Sequence, residues 1–280
     1  GYWVTVWRRF RRDPVAVVAA LVVLGLILMA VFAPWIAPND PLQGMTLRRL
    51  KPPGTEGYPL GTDELGRDML LGILFGIKVS LAVGVSAAIG ATVVGVLVGA
   101  VAGYYGGWLD LAVMRLSEVF QVIPTFILAA FIIALSGPGL SRVVMVIALL
   151  SWPQVARLTR GEVLRVKQLE FVDAVRCLGV PEFRILVLEV IPNAVAPVLA
   201  AATLIVGHAI LLEAALGFFG LSSADIVSWG RMLNAGQRFL FNAWWLSFFP
   251  GMAIFVTVLA FNLLGDAVGS ALNPKTQGKA

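Results

Sequence analysis

Few side chains in this sequence are equipped for covalent chemistry, and their types and spacing say which kinds. There is one histidine, His208, and one cysteine. A single cysteine excludes an internal disulfide framework and a cysteine-rich metal site, and a lone imidazole offers too few donors for zinc. Charged residues crowd at Asp63, Glu64, Arg67 and Asp68, directly after Gly61-Thr62. Paired carboxylates are hydrolase equipment, but a Gly-Thr-Asp turn opening a helix with charges of both signs is ordinarily structural. Glu213 lies late in an apolar stretch, where an acid costs about 2.5–3.5 kcal/mol to insert into a bilayer. It must face a partner, a cavity or the interface. His208 precedes it by more than one turn and off its face, so a hydrogen-bonded packing role is the default there. No G-x-x-x-x-G-K-[ST] stretch occurs, so the chain has no such cradle for a nucleotide phosphate. These residues assemble neither a catalytic set nor a metal site.

The elements that would carry them follow from composition. Of 280 residues, 59% are apolar and 13% charged, with a mean hydropathy of +0.89. A soluble domain holds about 25% charged residues, so both a soluble globule and a disordered chain are excluded. An all-α integral membrane protein remains. Charge-free stretches predict six spans, in Pro14–Asn39 (solid from Val15 to Val31), Val79–Leu109, Val119–Ser141, a short one between Arg142 and Arg157, Val190–Leu212 and Phe239–Gly265. The first run lacks a small-residue cleavage site and reads as an uncleaved anchor over 15–36; the absence of an initiating Met at Gly1 is compatible with trimming. Residues 79–272 form the expected transmembrane core, between an outer loop over 37–78 and a tail over 273–280.

The +5 net charge reads loop by loop as topology rather than as a nucleic-acid surface. Arg8, Arg9, Arg11 and Arg12 precede the first span; Arg157, Arg160, Arg165, Lys167, Arg176 and Arg184 cluster after the fourth; Lys275 and Lys279 end the chain. Placing these in the cytoplasm, with both termini, puts about 13 basic residues inside against about 8 outside. In span two, Gly84, Gly90, Gly95, Gly99 and Gly103 predict close helix contact, with Gly95 and Gly99 as a G-x-x-x-G pair. Trp244 and Trp245 are expected as interfacial anchors, and Asp266 as the end of span six near water.

The most charged stretch, about 157–192, predicts two amphipathic helices. Leu164, Phe171, Val175 and Leu178 share a stripe in Thr159–Leu178. Gly179 suits the left-handed cap that ends it, Pro181 the start of a second helix, and Pro192 its stop. Phe183, Leu186, Val187 and Val190 form the second apolar ridge. A plain connector needs far fewer residues, so this helix–Gly–helix elbow is expected to dock another protein by its apolar stripe.

Asp173-Ala174-Val175, then Gly179, then Ile191-Pro192 resembles the coupling-loop motif E-A-A-x3-G-x9-I-x-L-P of bacterial ABC-importer permeases. The departures are Asp173, Val175, Glu189 and Ile191 for the Glu, second Ala, first Ile and Leu. Arg11-Arg12-Asp13-Pro14, Pro59 through Asp68, Gly103-Tyr104-Tyr105-Gly106-Gly107 and Pro192-Asn193 are similar to the second, "C"-type permease of dipeptide, oligopeptide and nickel importers. So are Glu213-Ala214-Ala215-Leu216, Phe219-Gly220-Leu221, Trp229-Gly230, Gly265-Asp266 and Asn273-Pro274. The resemblance implies pairing with a homologous second permease in a bacterial cytoplasmic membrane. Two ATP-binding subunits, carrying ATP and Mg, would dock at the elbows, and an extracytoplasmic binding protein would deliver a peptide or similar small solute. The chain itself would bind no cofactor. Asp173, Ala174, Val175, Gly179, Val180, Pro181 and Pro192 would transmit motion in alternating access. Gly61, Thr62, Asp63, Gly66, Arg67 and Asp68 would form a lid or docking surface, and Glu213 and His208 are candidates for the substrate path. Nickel, glutathione and opine importers share the pattern. The rivals are a self-contained secondary transporter or channel, which would carry more intramembrane charge, and a membrane-embedded enzyme, for which one His and one Cys supply no site.

Overall fold

The computed structural model describes residues 2–36, 40–223 and 225–272; the expected tail, with Asn273-Pro274, Lys275 and Lys279, lies outside these. The described residues form helices and connecting turns without strands, apart from two isolated bridges, Thr55–Tyr58 and Thr62–Asp68. Helix α1 (Tyr2–Arg12) leads into α2 (Pro14–Ile36). Asp13 caps α2 by accepting from the Val15 and Ala16 N–H groups at 2.9 and 3.3 Å, and Pro14 occupies the first position, where an N–H is not needed. The 23 residues of α2 span about 35 Å, enough for a bilayer core. Only Ala16, Ala19, Val23, Leu26 and Ala33 of it are buried, a single stripe against α3 (Met69–Tyr105) and α11 (Trp245–Leu272), so α2 is a peripheral anchor.

Helix α3 (Met69–Tyr105) begins ten positions before the expected span and takes the end of the outer loop into itself. Asp68 is the reason: its carboxylate accepts from Leu70 N–H at 2.8 Å and starts the helix. The glycine face is used as expected. A Cβ at Gly95 would lie 2.4 Å from Val155 Cβ, and one at Gly99 would lie 2.3 Å from the Ala156 carbonyl, both on α6 (Leu140–Val166). Gly84 meets Ile210 of α9 (Ile191–Phe218) in the same way. Backbones approach here because the side chains are absent.

The third span is broken. Helices α4 (Gly107–Val122) and α5 (Thr125–Ser136) meet at 87°, because Ile123 precedes Pro124 and takes an extended conformation, φ −86°, ψ 131°. The fourth, expected to be short, is the continuous 27-residue α6 (Leu140–Val166), which runs through Pro153 and on past Arg157. Among the described residues, five helices are long and apolar enough to cross a membrane, giving six spans if the bent pair counts as one.

After α6 come α7 (Glu170–Cys177) and α8 (Glu182–Ile185). Pro192 does not stop the helix as expected. A π-turn over Leu186–Val190 joins α8 to α9 (Ile191–Phe218); Ile191 N–H bonds to the Leu186 carbonyl, and the wider turn accommodates a ring that cannot donate. Asn193 Nδ2 donates to the Glu189 carbonyl at 2.6 Å, satisfying one acceptor there. Helix α10 (Trp229–Gly236) follows, then α11 (Trp245–Leu272), which continues beyond the predicted end of span six. Contacts from Met69 to Trp245 place one end of the bundle, and Tyr104 with the α7–α8 elbow defines the other.

Candidate functional site

The elbow is built as a braced arm. Helix α6 ends at Val166 rather than continuing to Leu178: Lys167 turns aside and its ammonium donates to the Gly103 and Tyr104 carbonyls at 2.8 and 3.2 Å, capping the end of α3. Helix α7 then presents Val172 inward with Ile185, Leu186 and Val190 of the second arm, all buried against Ala100, Val163 and Val166. Val175 and Val180 pack partly buried on this cluster. Gly179 makes the corner at φ +76°, a conformation L side chains rarely adopt, and Pro181 directly precedes α8, one residue ahead of the first helical position expected for it. Arg176 clamps the two arms, donating to Asp173 at 2.9 Å and to Glu182 at 3.0 Å. Tyr104 OH donates to the same Glu182, so the clamp reaches α3. Below it, Arg160 forms a two-pronged pair with Asp110 at 2.5 Å per bond.

What this brace leaves outside is the informative part. Asp173 and Ala174 are exposed, as are Leu178 at 81% and Phe183 at 70%, with Phe171 beside them. The apolar stripe read from the sequence is therefore divided: Val175 faces in, Phe171 and Leu178 face out, and on the second arm Leu186 and Val190 face in while Phe183 faces out. Pro181 is exposed at the corner, and Pro192 lies exposed at the π-turn. Exposed large apolar side chains beside charged ones are the kind of surface through which proteins meet partners.

At the other end of the bundle the loop over 40–68 is held by its own hydrogen bonds. Thr62 is fully buried; its hydroxyl accepts from Lys51 N–H at 2.8 Å and donates to the Arg48 carbonyl at 2.5 Å. Asp63 Oδ1 accepts from the Leu65 and Arg67 N–H groups at 2.8 and 2.7 Å. Burial still raises the Asp63 carboxyl above the usual range, outweighing those bonds, and does the same to Asp68. Arg67 Nε donates to the Leu42 carbonyl at 3.0 Å. Gly61 and Gly66 have positive φ, and a Cβ at Gly66 would lie 1.9 Å from the Met45 carbonyl. These six residues form the loop's internal framework. Trp245, expected as an interfacial anchor, is buried there and donates to the Thr62 carbonyl at 3.2 Å, whereas Trp244 is exposed.

The two membrane-depth candidates are separated. Glu213 is 2% exposed and accepts from Ser80 at 3.3 Å; Ser228, which caps α10, also bonds to it. It pins α9 to α3 and α10. Trp229 completes that joint, donating to the Ile73 carbonyl at 3.1 Å. His208, on the other side of α9, is exposed in a cleft of about 490 Å³ between α6, α9 and α11, lined also by Gln154, Asn262 and Asp266. Sequence reading missed Gln154 and Asn262 and took Asp266 for a helix end. The one available signal was the pair Asn262 and Asp266, one turn apart on a largely apolar helix; Gln154 carried none.

Long apolar helices in one bundle, with a braced arm exposed at one end, define a membrane-spanning subunit built to engage a partner. Comparison with known proteins gives the family. Residues 95–278 match the family described as binding-protein-dependent transport system inner membrane component, and residues 1–53 match the N-terminal TM domain of oligopeptide transport permease C. The chain belongs to this family of ABC-importer permeases, in its dipeptide/oligopeptide branch. It is 39% identical to the glutathione transport system permease protein GsiD of Escherichia coli O6:K15:H31, over 99% of this chain and 91% of that one. It is 36% identical to the dipeptide transport system permease protein DppC of Alkalihalophilus pseudofirmus, over 98% and 90%. The fold is that of the inward-facing MetNI methionine ABC transporter, at a TM-score of 0.60 and 20% identity over 73% of this chain and 98% of that chain. The chain is thus an inner-membrane permease subunit rather than an enzyme, and a self-contained secondary transporter or channel is set aside. A permease of this kind works with ATPase subunits and a substrate-binding protein.

Proposed function

We propose that this chain, paired with a homologous second permease, imports small peptides, glutathione among them, and is driven through its elbow by two ATP-binding subunits. ATP and Mg belong to those partners. The elbow and both termini face the cytoplasm, where Arg8, Arg9, Arg11 and Arg12 flank the first span and the elbow carries its own basic cluster. An extracytoplasmic binding protein meets the opposite end, at the loop over 40–68. The observation that carries the reading is the exposed ridge of Phe171, Leu178 and Phe183 on an arm turned at Gly179 and bridged by Arg176 to Asp173 and Glu182. A rigid arm passes displacement on instead of absorbing it. Closing of the ATPases moves the ridge, α7 and α8 move with it, and the π-turn at Pro192 hands the motion directly to α9.

The single cysteine provides the test, because Cys177 is exposed on α7. A water-soluble maleimide should alkylate it readily in the isolated chain and much more slowly in the complete importer. Equal rates in both would contradict docking at this arm.

A further inference from the structure

The cleft beside His208 carries more information than a path alone requires. Gln154 sits near the middle of the 27-residue α6, His208 one turn from the middle of α9, and Asn262 one turn from the middle of α11, with Asp266 a turn beyond it. All four line the same cleft. Polar side chains at membrane depth are costly in lipid and are retained where they meet water, a partner or a ligand. Among the described residues none of the four makes a side-chain hydrogen bond or ion pair. Contrast Glu213, which is buried and bonded to Ser80. The four also come from three separate helices, so no single amphipathic stripe explains their convergence. The rest of the lining is apolar, including Val155, Ile205 and Val258, and the volume of about 490 Å³ falls within the range of small-ligand sites.

The charge pattern selects the ligand chemistry. Asp266 is the one formally charged side chain in the lining, with no Lys or Arg among its neighbours there. An exposed carboxylate lining a largely apolar cleft attracts a compact cation with several donors, which describes a primary ammonium. Asn262 and Gln154 each offer an acceptor and donors for a peptide amide, and His208 a further partner of either kind. We infer that this cleft is a subsite for the protonated amino end of a small peptide, with Asp266 as counter-charge and Asn262, Gln154 and His208 binding the adjoining amide. The inference rests on the importer reading and adds the chemical group recognised.

The test uses the complete detergent-purified importer in a Cys177→Ser background, with Ala201→Cys, in the lining but outside the four polar groups, as reporter for a charged maleimide. Thiol-free probes are dialanine and S-methylglutathione, each compared with its N-acetylated form. The free amines should slow alkylation at position 201 by about threefold or more, the N-acetyl forms should not, and Asp266→Asn should abolish the difference. Phe255→Cys, on the exposed apolar face of α11, should stay unlabelled and shows that the reagent reports water. No labelling at 201, equal protection by free and acetylated probes, or protection that survives Asp266→Asn would overturn the inference. Should Asp266→Asn fail to assemble, Asp266→Glu takes its place, and the amine preference must survive there. Wild-type importer in proteoliposomes separates the two levels. Absence of ATP-driven peptide uptake sinks the importer reading and this subsite together, whereas uptake without amine-selective protection sinks the subsite alone.

Discussion

Asp63 illustrates how a residue typical of chemistry can be used by the fold. Both backbone bonds go to one oxygen, Oδ1, and burial raises the carboxyl above its usual range. The sign follows: a carboxyl whose folded pKa is raised favours folding at low pH, and that contribution is lost as pH rises through the raised pKa. Asp68 has the same sign, again from burial first. Asp63→Asn keeps an acceptor without the desolvated charge, so thermal unfolding of the variant should match or exceed wild type at neutral pH and vary less with pH. Asp63→Ala should cost about 1–2 kcal/mol, since two buried N–H groups lose their acceptor. A variant pair with equal melting points would contradict this assignment. Gly99 makes the opposite point, a residue whose use was readable beforehand. Its spacing to Gly95 announced close helix contact, and a Cβ there meets the Ala156 carbonyl at 2.3 Å. Gly99→Val should destabilise by about 3 kcal/mol or more and lower the yield of folded protein in membranes, while Gly106→Ala, in open space but at φ +67°, should cost less. The polar cleft was not legible in the same way. Gln154, His208 and Asn262 are unremarkable one at a time, and only the packing of α6, α9 and α11 brings them together.

At the scale of elements, the elbow was legible at its corners and not along its arms. Gly179 and Pro181 carry local backbone demands, a positive φ and a helix start, which a sequence states directly. The break between Val166 and Glu170 has no such local cause. Thr159–Leu178 has a helical period throughout, and the interruption is made by Lys167 reaching across to the end of α3. Pro192 misled for the reverse reason: its local signal was read as a stop, and a π-turn lets the helix pass through it. Pro124, by contrast, does break the third span, because the backbone ahead of it becomes extended. The corner gives a test of the element as a lever. At Gly179 a new side chain meets no neighbour within 4 Å, so substitution acts through backbone conformation alone. Gly179→Val should leave the protein in the membrane and uncouple ATP hydrolysis from transport, whereas Gly179→Asn, which tolerates the left-handed region, should retain most coupling. Equal transport by Gly179→Val and wild type would show that the corner angle is not part of the mechanism.

As a whole molecule, the chain is a subunit whose exposed surfaces presuppose neighbours. Trp108, Val122 and Leu135 are exposed on α4 and α5, and α2 buries one narrow stripe. Such surfaces suit lipid or a second permease. The two ends differ in kind: the loop over 40–68 closes on itself through Thr62, Asp63 and Trp245, while the elbow keeps Leu178 and Phe183 outside. The contrast supports the proposal that energy enters at the elbow. Composition and charge made the membrane class and the number of spans readable, because bilayer thickness and basic loops act on the sequence directly. The most direct measurement is therefore ATP hydrolysis by the complete importer, with and without loaded binding protein, when Leu178 and Phe183 are changed to Asp. Both side chains lie outside the packed core, so Leu178→Asp with Phe183→Asp should leave insertion and folding intact. Copurification of the ATPase subunits should be lost, or stimulated hydrolysis should fall by about tenfold or more, as expected for buried apolar anchors of an interface. Undiminished assembly together with undiminished stimulation would contradict the central claim that this ridge couples the ATPases to the membrane path.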